Sequence, residues 1–362
     1  MESYNNFNLN PLFNIQLSKN ISTNAFSHDD NKLTCLIFQS INNIFYLVFL
    51  NDKNGSIIFY DIDDNRKICE IKSDEKIVNI IYYLDTLNKR DLIAEVSSNN
   101  LKLWDANILE PILSLLIYHI NLDSICFSNY NNENQIITIG RDRESTYYGD
   151  KFQLIKVFNL KGDKIKEIEL SSIDKIRKEE LYLIETYYDT KLEKYFLILY
   201  QNKSILSYDY QNNKPFLKYK SRNISNYEYS DDKPELLINN NKDKITKIIR
   251  LGKSYIFIWN FHSGKLENKI NINNGEINNF CLWNDKYLFI SLLDINMNLM
   301  DIKSKNGLFS KVFYTNKDFI IAIKKINHKK YGECLISIGY DFNEEENEEK
   351  KINIKLWSNK KI

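Results

Sequence analysis

The chain has 362 residues, of which 43% are hydrophobic and 13% aromatic, with only 10 Gly and 4 Pro. This content is sufficient for a large core and excludes an intrinsically disordered chain. With 49 Lys and Arg against 48 Asp and Glu, the formal net charge is +1, which argues against a general nucleic-acid-binding protein.

Targeting and membrane segments are not evident in the sequence. The first 30 residues contain no sustained apolar run, so we expect no secretory signal peptide. The longest apolar stretches, such as Ile44–Leu50 and Ile112–Ile117, are far shorter than the roughly 20 residues that span a bilayer, and they predict buried strands. The five Cys are scattered without a C-x-x-C pair, which favours a reducing intracellular compartment, cytoplasmic or nuclear.

Short β-branched and aromatic segments follow one another in pairs, separated by turns rich in Asn, Asp, Lys and Gly. The predicted first strands are Leu33–Phe38, Ile77–Leu84, Leu122–Phe127, Leu181–Tyr188, Ile277–Leu282 and Phe319–Ile326. The predicted second strands are Phe45–Leu50, Leu92–Val96, Gln135–Ile139, Lys194–Tyr200, Tyr287–Leu293 and Cys334–Ile338. Cys35, Cys126 and Cys281 fall in first strands, where we expect them to be small buried hydrophobes.

A third strand ending in a large anchor residue recurs along the chain. Residues 101–105, 256–260 and 354–358 read LKLWD, IFIWN and IKLWS, and weaker copies read IIFYD, IKVFN, ILSYD and MNLMD. The anchors are Tyr60, Trp104, Phe158, Tyr208, Trp259, Met300 and Trp357, and four of them are followed by an acidic residue, namely Asp61, Asp105, Asp209 and Asp301. Their spacings of 44, 54, 50, 51, 41 and 57 residues suit a repeat of four strands.

On these residues the sequence resembles the WD-repeat β-propeller family. The resemblance rests on Trp104-Asp105, the other six anchors, and the run 259–265 (WNFHSGK), which is similar to the family's Trp-Asp-x-x-Thr-Gly-Lys; no Gly-His dipeptide occurs. It implies an all-β, seven-bladed β-propeller of four-stranded antiparallel blades, as a single domain over residues 1–362. The implied blades are 23–73, 74–118, 119–170, 171–220, 221–271, 272–315, and 316–362 plus 12–18.

The last blade needs a strand from elsewhere, because Trp357 lies only five residues before Ile362. In the family, one terminus commonly completes the last blade, which removes an open sheet edge. Phe13–Leu17 alternates between apolar and polar residues. We therefore predict that residues 12–18 pair with residues 352–358.

Three blades contain extra residues between the predicted second and third strands. The inserts 143–151, 244–253 and 342–351 read RESTYYGDK, KITKIIRLGK and FNEEENEEKK, and the resemblance implies that they lie on one face. The candidate partner-binding residues in them are Tyr147, Tyr148, Lys247, Arg250, Lys253, Glu344 and Glu345. Solvated loops without a partner are the alternative.

In the fifth blade, Ile245–Leu251 is alternatively the second strand itself. Residues 171–180 are expected to form a further surface loop.

The resemblance also implies a structural role for some polar residues. His28 and His119 each lie seven positions before a first-strand Cys, where the family has a His that joins a Ser or Thr, a turn Asp and the Trp in a hydrogen-bond network. The comparable residues are Thr138, Asp142, Ser337, Asp341 and Trp357. His262 and His328 have no evident partner.

Catalytic and cofactor motifs are absent from the sequence: there is no G-x-S-x-G, P-loop, G-x-G-x-x-G or H-E-x-x-H. We therefore expect no cofactor, no metal and no enzymatic activity.

The leading hypothesis is a non-enzymatic scaffold or adaptor, which binds protein or peptide partners within a multi-subunit complex. The alternatives are a phosphoinositide-binding propeller that uses the basic segment 242–253, a protein-docking subunit of an RNA-processing or ribosome-assembly particle, and a propeller enzyme.

Overall fold

The computed structural model describes residues 10–17, 35–51, 55–117, 119, 121–141, 153–170, 182–189, 192–201, 204–220, 235–239, 244–251, 254–272, 275, 277–284, 286–292, 296–303, 309–314, 318–341 and 352–358. Within these ranges every regular element is a β-strand. The strands form seven four-stranded antiparallel sheets, which is the architecture of a seven-bladed β-propeller. The predicted fold class is therefore confirmed.

The sheets are numbered in chain order. Sheet 1 contains β2 (Cys35–Gln39), β3 (Phe45–Asn51), β4 (Ser56–Asp61) and β5 (Arg66–Lys72). Sheet 2 contains β6 (Asn79–Asp85), β7 (Arg90–Val96), β8 (Asn100–Asp105) and β9 (Glu110–Leu116). Sheet 3 contains β10 (Asn121–Tyr130), β11 (Glu133–Arg141), β12 (Gln153–Asn159) and β13 (Lys164–Glu169). Sheet 4 contains β14 (Tyr182–Asp189), β15 (Lys194–Gln201), β16 (Ser204–Asp209) and β17 (Lys214–Tyr219).

The remaining three sheets have the same meander order. Sheet 5 contains β18 (Glu235–Asn239), β19 (Lys244–Leu251), β20 (Tyr255–Asn260) and β21 (Leu266–Asn271). Sheet 6 contains β22 (Ile277–Leu282), β23 (Tyr287–Leu292), β24 (Asn296–Asp301) and β25 (Phe309–Tyr314). Sheet 7 contains β26 (Asp318–His328), β27 (Gly332–Asp341), β28 (Ile352–Ser358) and β1 (Asn10–Leu17).

The N-terminal strand completes sheet 7. β1 pairs antiparallel with β28, so that Phe13 lies opposite Leu356 and Leu17 opposite Ile352. The pairing begins at Asn10 opposite Ser358, two residues earlier than the predicted strand 12–18. This pairing supplies the fourth strand that residues 316–362 lack.

All seven anchor residues lie in third strands, as predicted. The polar residue after the anchor has a defined role, because its side chain accepts a hydrogen bond from a backbone N–H in the following turn. The pairs of acceptor and donor residues are Asp61 with Asp63, Asp105 with Asn107, Asn159 with Lys161, Asp209 with Asn212, Asn260 with His262, and Asp301 with Lys303. Short polar side chains favour such turns. The repeated pair of anchor and polar residue therefore encodes a strand end and its turn.

The fifth sheet corrects one prediction. Residues 244–251 were expected in an inserted loop, but they form β19, the second strand, in the way that the alternative assignment proposed. Ile248 and Ile249 are fully buried, and β-branched residues favour a strand at such positions. Residues 252–254 are then all that joins β19 to β20, while the long connection of this blade falls at residues 220–234.

The chain comprises two compact units, Met1–Ser73 with Leu251–Phe257 and Asn268–Ile362, and Asp74–Arg250 with Ile258–Glu267. In the first unit, apolar clusters lie between sheets 1 and 7 and between sheets 6 and 7. In the second unit, they lie between sheets 2 and 3 and between sheets 3 and 4. The assignment of residues 1–362 to a single domain stays a prediction. Each fully buried aliphatic side chain contributes about 1.5–3 kcal/mol, so that packing between sheets is the main source of stability.

Candidate interaction surface

Several of the predicted partner-binding residues lie outside the described residues, namely Tyr147, Tyr148, Lys253, Glu344 and Glu345. Two of the three predicted inserts occupy the predicted positions in the chain. Residues 142–152 connect β11 to β12, and residues 342–351 connect β27 to β28. The loop 171–180 and His28 also lie outside the described residues.

Lys247 and Arg250 lie in β19 rather than in a basic loop. The Nζ atom of Lys247 lies 3.0 Å from a carboxylate oxygen of Glu267. Burial alone would raise the pKa of Glu267, but hydrogen bonds from Asn260 and Lys247 outweigh it and hold this pKa below its usual value. Arg250 is only 1% exposed, and its guanidinium lies 5.8 Å from the centre of the Tyr200 ring. Neither residue presents a free cation to a headgroup.

The structural network implied by the resemblance is present in part. In sheet 3, Nε2 of His119 lies 3.1 Å from Oγ1 of Thr138, and both residues are buried. In sheet 7, Nε1 of Trp357 donates a 2.8 Å hydrogen bond to Oγ of Ser337. In sheet 2, Trp104 donates at 3.0 Å to the buried carboxylate of Glu95, a partner that the sequence did not suggest. The two Trp hydrogen bonds join third strands to second strands, whereas His119 ties the residues before β10 to the second strand β11.

Two His residues that lacked an evident partner have one in the structure. Nε2 of His262 lies 3.0 Å from Oδ2 of Asp189, which joins sheets 5 and 4. Nε2 of His328 lies 2.5 Å from Oδ1 of Asp63, and the His328 ring stacks on Phe45 and Tyr331. Both are contacts between residues far apart in sequence. Both connect neighbouring sheets within one unit.

A buried polar cluster lies where β6 ends. The carboxylate of Asp85 accepts hydrogen bonds from the backbone N–H of Asn88 (3.0 Å), from Nε of Arg90 (2.9 Å) and from Nδ2 of Asn134 in sheet 3 (2.6 Å). Tyr83 completes the cluster by donating to Oδ1 of Asn134 at 2.7 Å. Burial alone would raise the pKa of Asp85, but these donors outweigh it and hold the pKa below its usual value. The cluster fixes the β6–β7 turn against sheet 3.

This fixed end of sheet 2 presents large apolar side chains. Leu84 and Leu87 flank Asp85 and are 39% and 46% exposed, and Ile108, in the β8–β9 turn, is 62% exposed. The β8–β9 turn is held by the hydrogen bond from Leu109 N–H to the Asp105 carbonyl (2.8 Å). It is joined to the start of β7 by Ala106 N–H, which donates to the Asp91 carbonyl at 2.8 Å. The exposed side chains therefore stand on hydrogen-bonded turns at one end of the sheet.

The outer strand β9 extends this apolar character along the edge of sheet 2. The sequence predicted a buried strand over Ile112–Ile117, and this is wrong for part of it: Leu115 and Ile117 are buried, but Ile112 is 37% and Leu116 44% exposed. An apolar run does not distinguish an inner strand from an outer one. The absence of charged residues from 111 to 117 was the signal that could have marked this edge.

Sheet 2 holds half of the exposed large hydrophobic side chains among the described residues. Six of the twelve belong to it, and we name them the sheet 2 surface: Val78, Leu84, Leu87, Ile108, Ile112 and Leu116. Charged or polar groups normally dominate exposed turns and edges. The concentration of apolar residues on one sheet is typical of a surface that another molecule covers.

Other site types and relatives give no competing assignment. Among the residues that the structure describes, no group of three or more His, Cys, Asp or Glu could hold a metal ion. None of the described residues belongs to a helix long and apolar enough to cross a membrane. No protein-family model and no curated protein matches the chain.

Proposed function

We propose that the chain is a diverged WD-repeat propeller that acts as a non-enzymatic protein-interaction module, binding a partner protein through the sheet 2 surface. The observation that carries this proposal is that six of the twelve exposed large hydrophobic side chains among the described residues belong to one sheet. Propeller folds commonly serve as interaction scaffolds. The surface is preorganised by hydrogen-bonded turns, so that binding costs little conformational entropy.

Membership of the WD-repeat class is supported by local structure rather than by relatives. The anchors lie in third strands, the following polar residues cap turns, and Trp357 with Ser337 reproduces part of the family's network. The four Cys whose side chains the structure describes form no disulfide with one another, which favours a reducing compartment, cytoplasmic or nuclear. If the sheet 2 surface binds a stable partner protein, this chain is a subunit of a larger complex.

The phosphoinositide alternative loses its main support. It required a basic loop over residues 242–253, whereas Lys247 is paired with Glu267 and Arg250 is buried in β19. The sheet 2 surface is apolar, and the exposed charged residues next to it in the chain include both Lys89 and Glu110, so it does not present the basic cluster that favours anionic headgroups. Binding to a protein is therefore preferred.

Affinity purification from the native source, followed by mass spectrometry, tests the proposal. The double variant Leu87→Lys, Ile108→Lys places two charges on the sheet 2 surface, and Ile165→Lys on β13 is the matched control, since Ile165 is also exposed. We expect a stoichiometric partner that the wild type and the control retain and the double variant loses. Recovery of the wild type as a monomer without such a partner would contradict the proposal.

A further inference from the structure

The outer edge of β9 faces no other strand among the residues that the structure describes. β9 is the last strand of sheet 2, and among the described residues only β8 pairs with it. Leu101 lies opposite Leu115, and Ile117 N–H donates to the Asn99 carbonyl at 2.8 Å. In an antiparallel pair, every second residue of a strand bonds to its neighbour. Since Ile117 bonds to β8, Leu115 and Leu113 do so as well. The N–H and C=O groups of Ser114 and Leu116 therefore point away from the sheet.

The side chains along this edge offer little of the usual protection. Edge strands are normally shielded by charged residues. β5 and β13 each contain four charged residues, and β17 and β21 each contain two, whereas β9 contains only Glu110, β25 only Lys311 and β1 none. Among the described side chains, β9 differs from β25 in exposing two large hydrophobic residues, Ile112 and Leu116, where β25 exposes one, Val312. Ile112, Ser114 and Leu116 alternate along the exposed face of β9 and give it an apolar stripe. A bulge at Ile112 leaves the segment from Leu113 onward as the regular part of the edge.

Acidic residues stand at both ends of the strand. Glu110 is exposed at one end, and Asp105 lies opposite it on β8. At the other end the carboxylate of Glu75 accepts a hydrogen bond from Asn100, the residue that pairs with Leu116. The cation on the neighbouring strand, Lys102, lies over the Trp104 ring at 4.5 Å. A second copy of β9 would bring its own acidic flanks to these ends, so a basic-flanked segment is the better match.

We propose that β9 binds an extended segment of a partner protein as a fifth strand of sheet 2, with alternating apolar residues flanked by Lys or Arg. This inference rests on the proposed function and specifies how the partner is held. Backbone hydrogen bonds to Ser114 and Leu116 provide affinity, and the apolar stripe with its acidic ends provides selectivity.

The test uses the full chain and a random peptide library of about 12 residues displayed on phage. Ser114→Pro removes the outward N–H without a loss of bonding to β8, and Leu116→Lys charges the apolar stripe. The matched control is Glu167→Pro on β13, where Leu170 N–H donates to the Gln153 carbonyl and Ile168 lies opposite Ile155, so that the Glu167 N–H points outward in the same way. Circular dichroism melting of each variant checks that the fold is kept, and Leu116→Lys carries the test if Ser114→Pro does not fold.

We expect the enriched peptides to alternate apolar residues between basic flanks. Their affinity should fall by about 10-fold or more for both β9 variants, a loss of about 1.4 kcal/mol, and stay unchanged for the control. Peptides that bind the β9 variants as tightly as the wild type would overturn this inference and leave the proposed function standing. The same holds if no peptide is enriched while the native partner is retained. A dimer of the chain that Ser114→Pro dissociates would replace the partner segment by a second copy.

Discussion

The Nδ2 atom of Asn134 donates a 2.6 Å hydrogen bond to Oδ1 of Asp85 and thereby joins sheet 3 to sheet 2. Because Asp85 is fully buried, its replacement by Ala leaves Asn134, Asn88 and Arg90 without their acceptor. We expect Asp85→Ala to lower the free energy of unfolding by about 3–5 kcal/mol, measured by urea denaturation. Asp105→Ala, which removes only a turn cap, is the control and should cost about 1 kcal/mol. Similar losses for both variants would contradict the role of Asp85.

The hydrogen-bonded carboxylate of Asp85 makes the free energy of unfolding decrease at low pH. The pKa of Asp85 is lowered in the folded state, as is that of Asp209, where hydrogen bonds from Asn212 and Lys194 outweigh burial. A lowered pKa stabilises the fold above the ordinary Asp value of about 3.9, and this contribution is lost as pH falls through the lowered pKa. We expect the urea midpoint to fall steeply below about pH 4. Asp85→Asn should give a flatter profile in that window, and an identical slope would count against the assignment.

Buried tyrosines make the free energy of unfolding decrease at high pH. Burial raises the pKa of Tyr83, Tyr208 and Tyr210 to about 12. A raised pKa means that the folded state favours the protonated tyrosine. The contribution of each such tyrosine to the free energy of unfolding is therefore fully present below the ordinary Tyr pKa of about 10 and is lost as pH rises toward 12. Ultraviolet titration should show a group of tyrosines that ionise only well above pH 10 or on unfolding. Tyr208→Phe and Tyr210→Phe should each remove one such residue from that group.

The hydrogen bond between Trp357 and Ser337 can be measured by a double-mutant cycle. Ser337→Ala leaves the buried indole N–H without its partner, which should cost about 1–3 kcal/mol. In the background of Trp357→Phe, which has no N–H, the same Ser337→Ala change should cost less. Chemical denaturation of the four proteins gives the coupling energy. A coupling energy of zero would show that this hydrogen bond does not contribute to the free energy of unfolding.

Sheet 7 depends on the N-terminal strand. Deletion of residues 1–20 removes β1 and exposes the edge of β28, so we expect a loss of several kcal/mol and concentration-dependent association. Deletion of residues 1–8 leaves β1 intact and is the control. Melting and sedimentation velocity measure the two effects. A truncated chain that is monomeric with unchanged melting would show that β1 does not complete the sheet.

The sequence predicted the sheets better than it predicted the surface. Strand positions follow from local alternation and from the anchors, because packing requires an apolar residue such as Trp104 or Met300 at the same point of each repeat. The error in sheet 5 came from placing residues 244–253 in an insert after the second strand, whereas Ile248 and Ile249 belong to that strand. The exposure of Leu116 depends on where β9 lies in its sheet, which apolar content alone does not report. The contact of His262 with Asp189 likewise requires the tertiary fold.

Hydrogen–deuterium exchange shows directly whether a partner protein covers the sheet 2 surface. The free chain and the chain with its affinity-purified partner are compared peptide by peptide. We expect protection on binding over residues 84–89 and 106–117, which include Leu87, Ile108 and Leu116. Protection confined to the connections 142–152 and 342–351, with no change over sheet 2, would contradict it.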